Sequence, residues 1–147
     1  MQPDAALRLR AEDRDDLAVI SACLQDALVT VGDLAFDAEA RSFVLIANRF
    51  RWECNSPAGG AEFERILCAL TFDGVGGVAY RGFRRSEKER ILALLAIRQD
   101  EAGAIDLDFA GGATIRLNAT VIRCRLRDLG DPWPTNWQPD HPLEDEP

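Results

Sequence analysis

The chain has 147 residues, a formal net charge of −8 and 47% hydrophobic residues, which is the size and composition of one globular domain with a substantial core. No apolar run reaches the ~18 residues of a membrane-spanning helix, and the N-terminus lacks both the basic and the apolar region of a secretory signal. We therefore predict a cytoplasmic protein with no membrane partner. Because its excess acidic charge repels phosphate backbones, no nucleic-acid partner is expected either.

The chain begins with a short predicted strand, which a helix follows. Residues 7–10 alternate between apolar and charged side chains, as does a strand with one solvent-exposed face. Asp13 or Asp15 is a suitable N-cap for the helix, and Leu17 and Ile20 lie on its apolar stripe.

The middle of the chain is predicted to consist of strands. Residues 33–37 and 42–51 alternate and predict a hairpin. Residues 63–72 predict a further strand, and residues 78–80 continue extended after a glycine-rich turn. Residues 91–97 form a nearly continuous apolar run, which predicts a strand that is buried on both faces.

A second hairpin is predicted before the C-terminal part of the chain. Residues 105–109 alternate between apolar residues and aspartates, and residues 114–117 pair back with them. Gly111 and Gly112 between them can adopt the positive φ angles of a tight turn.

The segment after this hairpin has two interpretations. Asn118 as an N-cap and Gly130 as a stop signal favour a helix. On a helix, Arg123, Arg125 and Arg127 spread over a wide solvated arc. The same arginines alternate with apolar residues, as they would in a strand. The two terminal signals decide the prediction in favour of a helix.

Together the elements predict an α+β fold, with a mainly antiparallel sheet or a partly closed barrel of six to eight strands and one helix near each end. The order of elements is analogous to that of a pleckstrin-homology-like barrel, although a fold does not fix a function. Residues 1–133 are predicted to form a single domain. Residues 134–147 form an acidic, proline-rich tail, whose far end we expect to be disordered.

The cysteines and the single histidine do not predict a metal site. There is no C-x-x-C pair, and the histidine is His141 in the predicted tail. Structural zinc needs clustered ligands, so we predict no metal and no cofactor. Free thiols in apolar surroundings are the simplest interpretation. The four cysteines are Cys23, Cys54, Cys68 and Cys124.

Several short motifs resemble a known family. They include NRFRWE (48–53), LLAIR (94–98), DFAGG (108–112) and DLG (128–130). They resemble a family of small uncharacterised bacterial proteins, known as a domain of unknown function, from about residue 7 to residue 133. Residues 54–60 depart from the family pattern, which is more basic there. The resemblance implies no established activity.

The charge is unevenly distributed along the chain. Residues 1–40 carry three basic and nine acidic residues (−6), residues 41–100 ten and seven (+3), and residues 101–147 four and nine (−5). We therefore expect the middle of the chain to contact a protein partner or a small anion through an arginine and tryptophan surface. The candidate binding residues are Arg51, Trp52, Arg84, Arg85, Lys88 and Arg90.

The favoured function is a non-catalytic binding or accessory module, and the alternative is a small enzyme that works without histidine. In the alternative, Asp106 and Asp108 lie about 7 Å apart on one strand face and act together with arginines. The simpler interpretation is that both aspartates form the solvent face of an amphipathic strand. Neither a serine–histidine pair nor a phosphate-binding glycine loop accompanies them.

Overall fold

The computed structural model describes residues 6–52 and 63–135. The predicted loop at residues 54–60, Cys54, His141 and most of the predicted tail lie outside these ranges. Within them, the helix is α1 (Arg14–Cys23) and the strands are β1 (Arg8–Ala11), β2 (Leu28–Asp37), β3 (Ser42–Phe50), β4 (Phe63–Asp73), β5 (Val78–Arg81), β6 (Ile91–Gln99), β7 (Ile105–Phe109), β8 (Thr114–Leu117) and β9 (Cys124–Thr135).

The nine strands form one antiparallel sheet in the order β1-β9-β4-β3-β2-β6-β7-β8-β5. This confirms the α+β class and the mainly antiparallel sheet. The sheet is not closed, so the partly closed barrel is wrong, as is the count of six to eight strands. The described residues contain only one α-helix, near the N-terminus. The analogy with a pleckstrin-homology-like barrel, which rested on closure and a C-terminal helix, therefore does not hold. Within the described residues, no helix is both long and apolar enough to cross a membrane.

Helix α1 begins where the sequence predicts it. The side chain of Asp13 accepts a hydrogen bond from the backbone N–H of Asp16 at 2.8 Å, and Asp15 and Asp16 are acidic residues in the first turn. Leu17 and Ile20 are buried in the core. The cap and the apolar stripe together explain why these ten residues fold into a helix.

The predicted second helix is wrong, since residues 118–123 form a connection without helix or strand and residues 124–130 belong to strand β9. The backbone of Asn118 does not cap a helix: its N–H donates to the carbonyl of Gly77, and its carbonyl accepts from Gly76. Gly130 has a φ of 66° but lies inside β9, next to a register shift opposite β4. Its left-handed conformation thus fits a bulge and not a helix C-terminus. Leu126 enters the core from this strand.

The remaining strands follow the predicted pattern with one correction. The hairpins β2–β3 and β7–β8 are confirmed, and Gly111 and Gly112 both have positive φ. Strand β6, however, is not buried on both faces. Ile91 is 60% exposed and Leu95 is 49% exposed, because one side of this strand faces solvent.

The buried cysteines provide a testable prediction about reactivity. Cys68 and Cys124 are buried free thiols, and Cys23 is half-buried. Burial raises the pKa of Cys68 and of Cys124 from 9.0 to about 12, so we expect both to resist alkylation at mildly alkaline pH. In a Cys54→Ser variant, a thiol reagent should modify the half-buried Cys23 first. Rapid modification of all three thiols in the folded protein would contradict this.

The same pKa values predict how stability depends on alkaline pH. Unfolded thiols ionise near 9.0, whereas the folded thiols stay protonated up to about 12. The contribution to stability is therefore complete below pH 9 and is lost as the pH rises from 9 towards 12.

Candidate functional site

Four arginines lie together on the exposed side of strands β1 and β9. Arg8 pairs directly with Arg127, and Arg10 pairs directly with Arg125. All four side chains are exposed. We call this group the arginine face. It combines residues that are more than a hundred positions apart in the sequence.

The local sequence explains why all four arginines point the same way. In each strand they alternate with buried residues, such as Leu126 in β9 and Ala11 in β1. Successive side chains of a strand point to opposite faces, so burial of the apolar set places the arginines in solvent. The sheet register then sets the two strands side by side.

The register brings the like-charged side chains as close as a sheet allows. The N–H of Asp128 donates to the carbonyl of Leu7 at 3.0 Å, so this pair of residues is hydrogen-bonded across the strands. Because hydrogen-bonded and non-hydrogen-bonded pairs alternate, both arginine pairs occupy non-hydrogen-bonded positions, where Cα atoms are about 4.5 Å apart. Like charges directly opposite each other destabilise a sheet. A bound anion would relieve this repulsion.

Small residues of β4 leave room beside the arginines. Ala69 lies opposite Arg127 and Thr71 lies opposite Arg125. The result is a cleft of about 410 Å³. Its lining consists of Arg8, Leu9, Arg10, Ala69, Thr71, Arg125, Leu126 and Arg127.

One carboxylate partly neutralises the arginine face. Asp73 Oδ2 accepts a hydrogen bond from Arg125 Nη2 at 2.9 Å, and both side chains are about half exposed. In the part of the chain that the structure describes, Arg8, Arg10 and Arg127 form no ion pair. The face thus carries four positive charges and one negative charge, in a protein whose net charge is −8.

Two of the predicted binding residues lie at the end of β3, where they contact their own chain. Arg51 is only 2% exposed and forms an ion pair with Glu64. The Trp52 ring packs edge-on against Phe50 at 4.7 Å, and its Nε1 donates to the carbonyl of Gln25 at 3.4 Å. Their partner-binding role stays a prediction, and the burial of Arg51 indicates a structural role.

A buried ion pair stands next to this end of the sheet. Arg49 Nε and Nη2 donate to the two carboxylate oxygens of Asp128 at 2.9 and 2.8 Å, and neither side chain is exposed. Arg65 is also buried, and its Nη1 donates to the carbonyl and the side-chain oxygen of Asn48. Burial lowers the pKa of Arg65, which Asp26 partly opposes. These roles could not be predicted from the sequence, because arginine is seldom buried.

The other predicted binding residues lie on the connector at residues 81–90. Arg84, Arg85 and Lys88 are exposed, and the Arg85 guanidinium lies over the Tyr80 ring at 4.9 Å. Arg90 forms an ion pair with Glu87 at 3.3 Å.

The connector and the Arg51–Trp52 end do not form one surface. Leu28 of β2 pairs with Asn48 of β3. The connector contacts β2 at Gly32, four residues after Leu28, where the Gly32 N–H donates to the Lys88 carbonyl. Arg51 lies three residues after Asn48 and, because the two strands are antiparallel, in the opposite direction along the sheet. At ~3.3 Å per residue, this separates the two groups by roughly 20 Å. Both stay predicted sites, and they are separate.

Asp106 and Asp108 make cross-strand ion pairs. Arg116 Nη1 lies 3.0 Å from Asp106, and Arg98 Nε lies 2.7 Å from Asp108. Arg116 also pairs with Asp100, and the hydrogen bond that Arg116 donates to the Asp100 carboxylate is the main reason why the pKa of Arg116 is raised. Each aspartate therefore has an arginine partner within its own sheet, and the catalytic interpretation stays a prediction. No group of three or more potential metal ligands occurs within residues 6–52 and 63–135.

Comparison with known proteins places the chain among uncharacterised relatives. No curated protein and no solved structure matches it. Residues 7–141, which cover the whole described sheet, match the family described as "Protein of unknown function (DUF2948)". The resemblance to a domain of unknown function is thereby confirmed, and the chain belongs to the DUF2948 family.

Proposed function

We propose that the protein is a non-catalytic binding module whose arginine face holds an anionic ligand. One observation carries this proposal: two pairs of arginines stand directly opposite each other across β1 and β9. Such pairing costs stability in the free protein. A ligand that places two anionic oxygens against each guanidinium offsets that cost, since charge-assisted hydrogen bonds are among the strongest that proteins make.

We expect an anionic ligand to be attracted by the arginine face at short range and not by the protein as a whole. The protein as a whole is acidic, with 25 acidic and 17 basic residues. At physiological ionic strength the Debye length is about 8 Å, so a ligand in contact with the face responds mainly to its four arginines. We therefore expect binding to weaken steeply as salt is added.

The basic connector is a proposed second contact, for an acidic protein partner. Arg84 and Lys88 support it because they are exposed and form no ion pair within the described ranges. Connectors also vary without disturbing the core, which suits recognition. The arginine face has the stronger support, since its charges are held at fixed positions on two strands.

A titration of two paired variants tests the proposal. We expect wild-type protein to bind tripolyphosphate or citrate at low salt, measured by calorimetry. Arg8→Ala combined with Arg127→Ala should lower that affinity at least tenfold, because the loss of one charge-assisted bond is worth about 1.5–3 kcal/mol. The matched control is Arg84→Ala combined with Lys88→Ala, which removes the same charge from the connector and should bind like wild type.

The opposite pattern would refute the proposal. Undiminished affinity in the Arg8/Arg127 variant, together with a loss in the control variant, would move the anion site to the connector. Melting temperatures of both variants show whether either change disturbs the fold.

A further inference from the structure

We propose that the ligand of the arginine face is a small bisphosphate, with one phosphoryl group held by each cross-strand arginine pair. This inference rests on the proposed function and specifies its ligand. The first pair is Arg8 with Arg127, and the second is Arg10 with Arg125.

The number of hydrogen-bond donors favours phosphoryl groups over carboxylates. A guanidinium has five N–H donors in a planar fork, and the two oxygens of one carboxylate fill one fork. A phosphoryl group carries a charge of about −1.5 to −2 and three acceptor oxygens, so it can satisfy two guanidiniums at once. Side chains that face each other across a sheet start from Cβ atoms about 4.5–5.5 Å apart. Each arginine pair therefore matches one phosphoryl group.

The spacing of the two pairs favours two phosphoryl groups in one molecule. Within each strand the two arginines are two residues apart, which is about 6.6 Å at ~3.3 Å per residue. A short carbon chain between two phosphoryl groups can span this distance. The cleft of about 410 Å³ lies within the range of small-molecule sites, which is about 300–1,000 Å³.

The surroundings favour a small ligand over a nucleic acid or an acidic protein. The residues that line the cleft include no aromatic ring on which a base could stack. A long polyanion would also meet the other charges of a protein with a net charge of −8. A bisphosphate that fits the cleft contacts only the arginine face.

Asp73 makes the two arginine pairs unequal. Its Oδ2 forms an ion pair with Arg125 Nη2 at 2.9 Å, whereas Arg8 and Arg127 form no ion pair within the described residues. The first phosphoryl group should therefore bind to Arg8 and Arg127, and the second must displace the Asp73 carboxylate from Arg125. Because Asp73 and Arg125 are both about half exposed, this exchange needs no change in the core.

The experiment compares matched ligands by calorimetry at low salt. The probes are propane-1,3-diol bisphosphate, propyl phosphate, glutarate, hexaglutamate and a thymidine hexanucleotide. Wild-type protein should bind the bisphosphate at least tenfold more tightly than each of the others. Asp73→Asn should raise the affinity for the bisphosphate about tenfold and change that for propyl phosphate less than twofold. The matched control, Asp108→Asn, removes one half-buried, arginine-paired carboxylate elsewhere and should leave both affinities unchanged.

The outcomes separate this inference from the proposed function. Tighter binding of glutarate, hexaglutamate or the oligonucleotide than of the bisphosphate would overturn the bisphosphate assignment and leave the anion-binding module standing. Absence of binding to every probe, and to citrate and tripolyphosphate, would overturn both. An equal gain in Asp73→Asn and Asp108→Asn would show that only net charge matters, which would overturn the role of Asp73.

Discussion

Replacing Asp128 with alanine is expected to destabilise the protein by about 3–5 kcal/mol, because it removes the carboxylate half of a buried, hydrogen-bonded ion pair with Arg49. Asp128 accepts two hydrogen bonds from Arg49, and its Oδ2 also accepts one from the backbone N–H of Leu7 at 2.8 Å. The loss should appear as a lower midpoint in urea denaturation, with an unchanged slope.

Two further variants show that the effect comes from burial of the charge. Arg98→Ala removes an exposed partner of Asp108 and should change stability little, because surface ion pairs contribute little. Replacing both buried partners, as Arg49→Met with Asp128→Leu, should recover part of the loss, because the buried guanidinium is removed together with the carboxylate that it binds. A similar loss in Asp128→Ala and Arg98→Ala would contradict the prediction.

This ion pair also links the stability of the protein to the proposed site. The bond from Leu7 to Asp128 attaches the start of β1 to β9, next to Arg8 and Arg127. Asp128→Ala should therefore loosen β1 and weaken anion binding, even at temperatures where the rest of the sheet remains folded. Hydrogen exchange of the β1 amides, compared with those of β3, measures that loosening directly.

The elements that the sequence predicts correctly are those with strong local signals. Asp13 caps α1 with its own side chain, and Gly111 and Gly112 adopt the positive φ angles that their turn requires. In both places the deciding contacts join residues within a few positions of each other. Local chemistry is therefore enough to predict these elements.

Strand β9 shows why the rest could not be predicted in the same way. Asn118 and Gly130 resemble helix end signals, yet β9 is decided by pairing with β1 and β4, which are distant in sequence. The alternation of Arg125 and Arg127 with apolar residues was the correct signal. Tertiary pairing outweighs local propensity here, as it often does in sheets.

The candidate site depends on the same long-range pairing. On a helix the arginines of residues 123–127 would have spread around the axis. No strand pairing would then have placed them beside Arg8 and Arg10. Only the register between β1 and β9 assembles the arginine face. The charge count along the chain pointed instead to residues 41–100, because it sums charges by position and not by location in the sheet.

Replacing Gly82 with alanine is expected to cost about 2–5 kcal/mol, since the added methyl group would collide with backbone atoms and the residue would keep a positive φ. A Cβ at this position would lie 2.6 Å from the carbonyl oxygen of Gly112 and 2.9 Å from the Cα of Ala113. Gly82 also has a φ of +84°, which L-residues adopt only at a cost of roughly 1–2 kcal/mol. To avoid the collision, the connector that contains Gly82 would have to move away from the β7–β8 turn that contains Gly112.

Gly112→Ala is the matched control, because it shares the backbone strain without the collision. Its φ is +86°, and a Cβ there would meet no atom within 4 Å. We expect a loss of about 1–2 kcal/mol from the strained φ alone, and a slightly larger one for Gly112→Val, whose side chain is branched at Cβ. Thermal unfolding of the three variants measures the difference. Equal losses in Gly82→Ala and Gly112→Ala would show that the connector moves away from the turn at little cost, and that its close approach contributes little to stability.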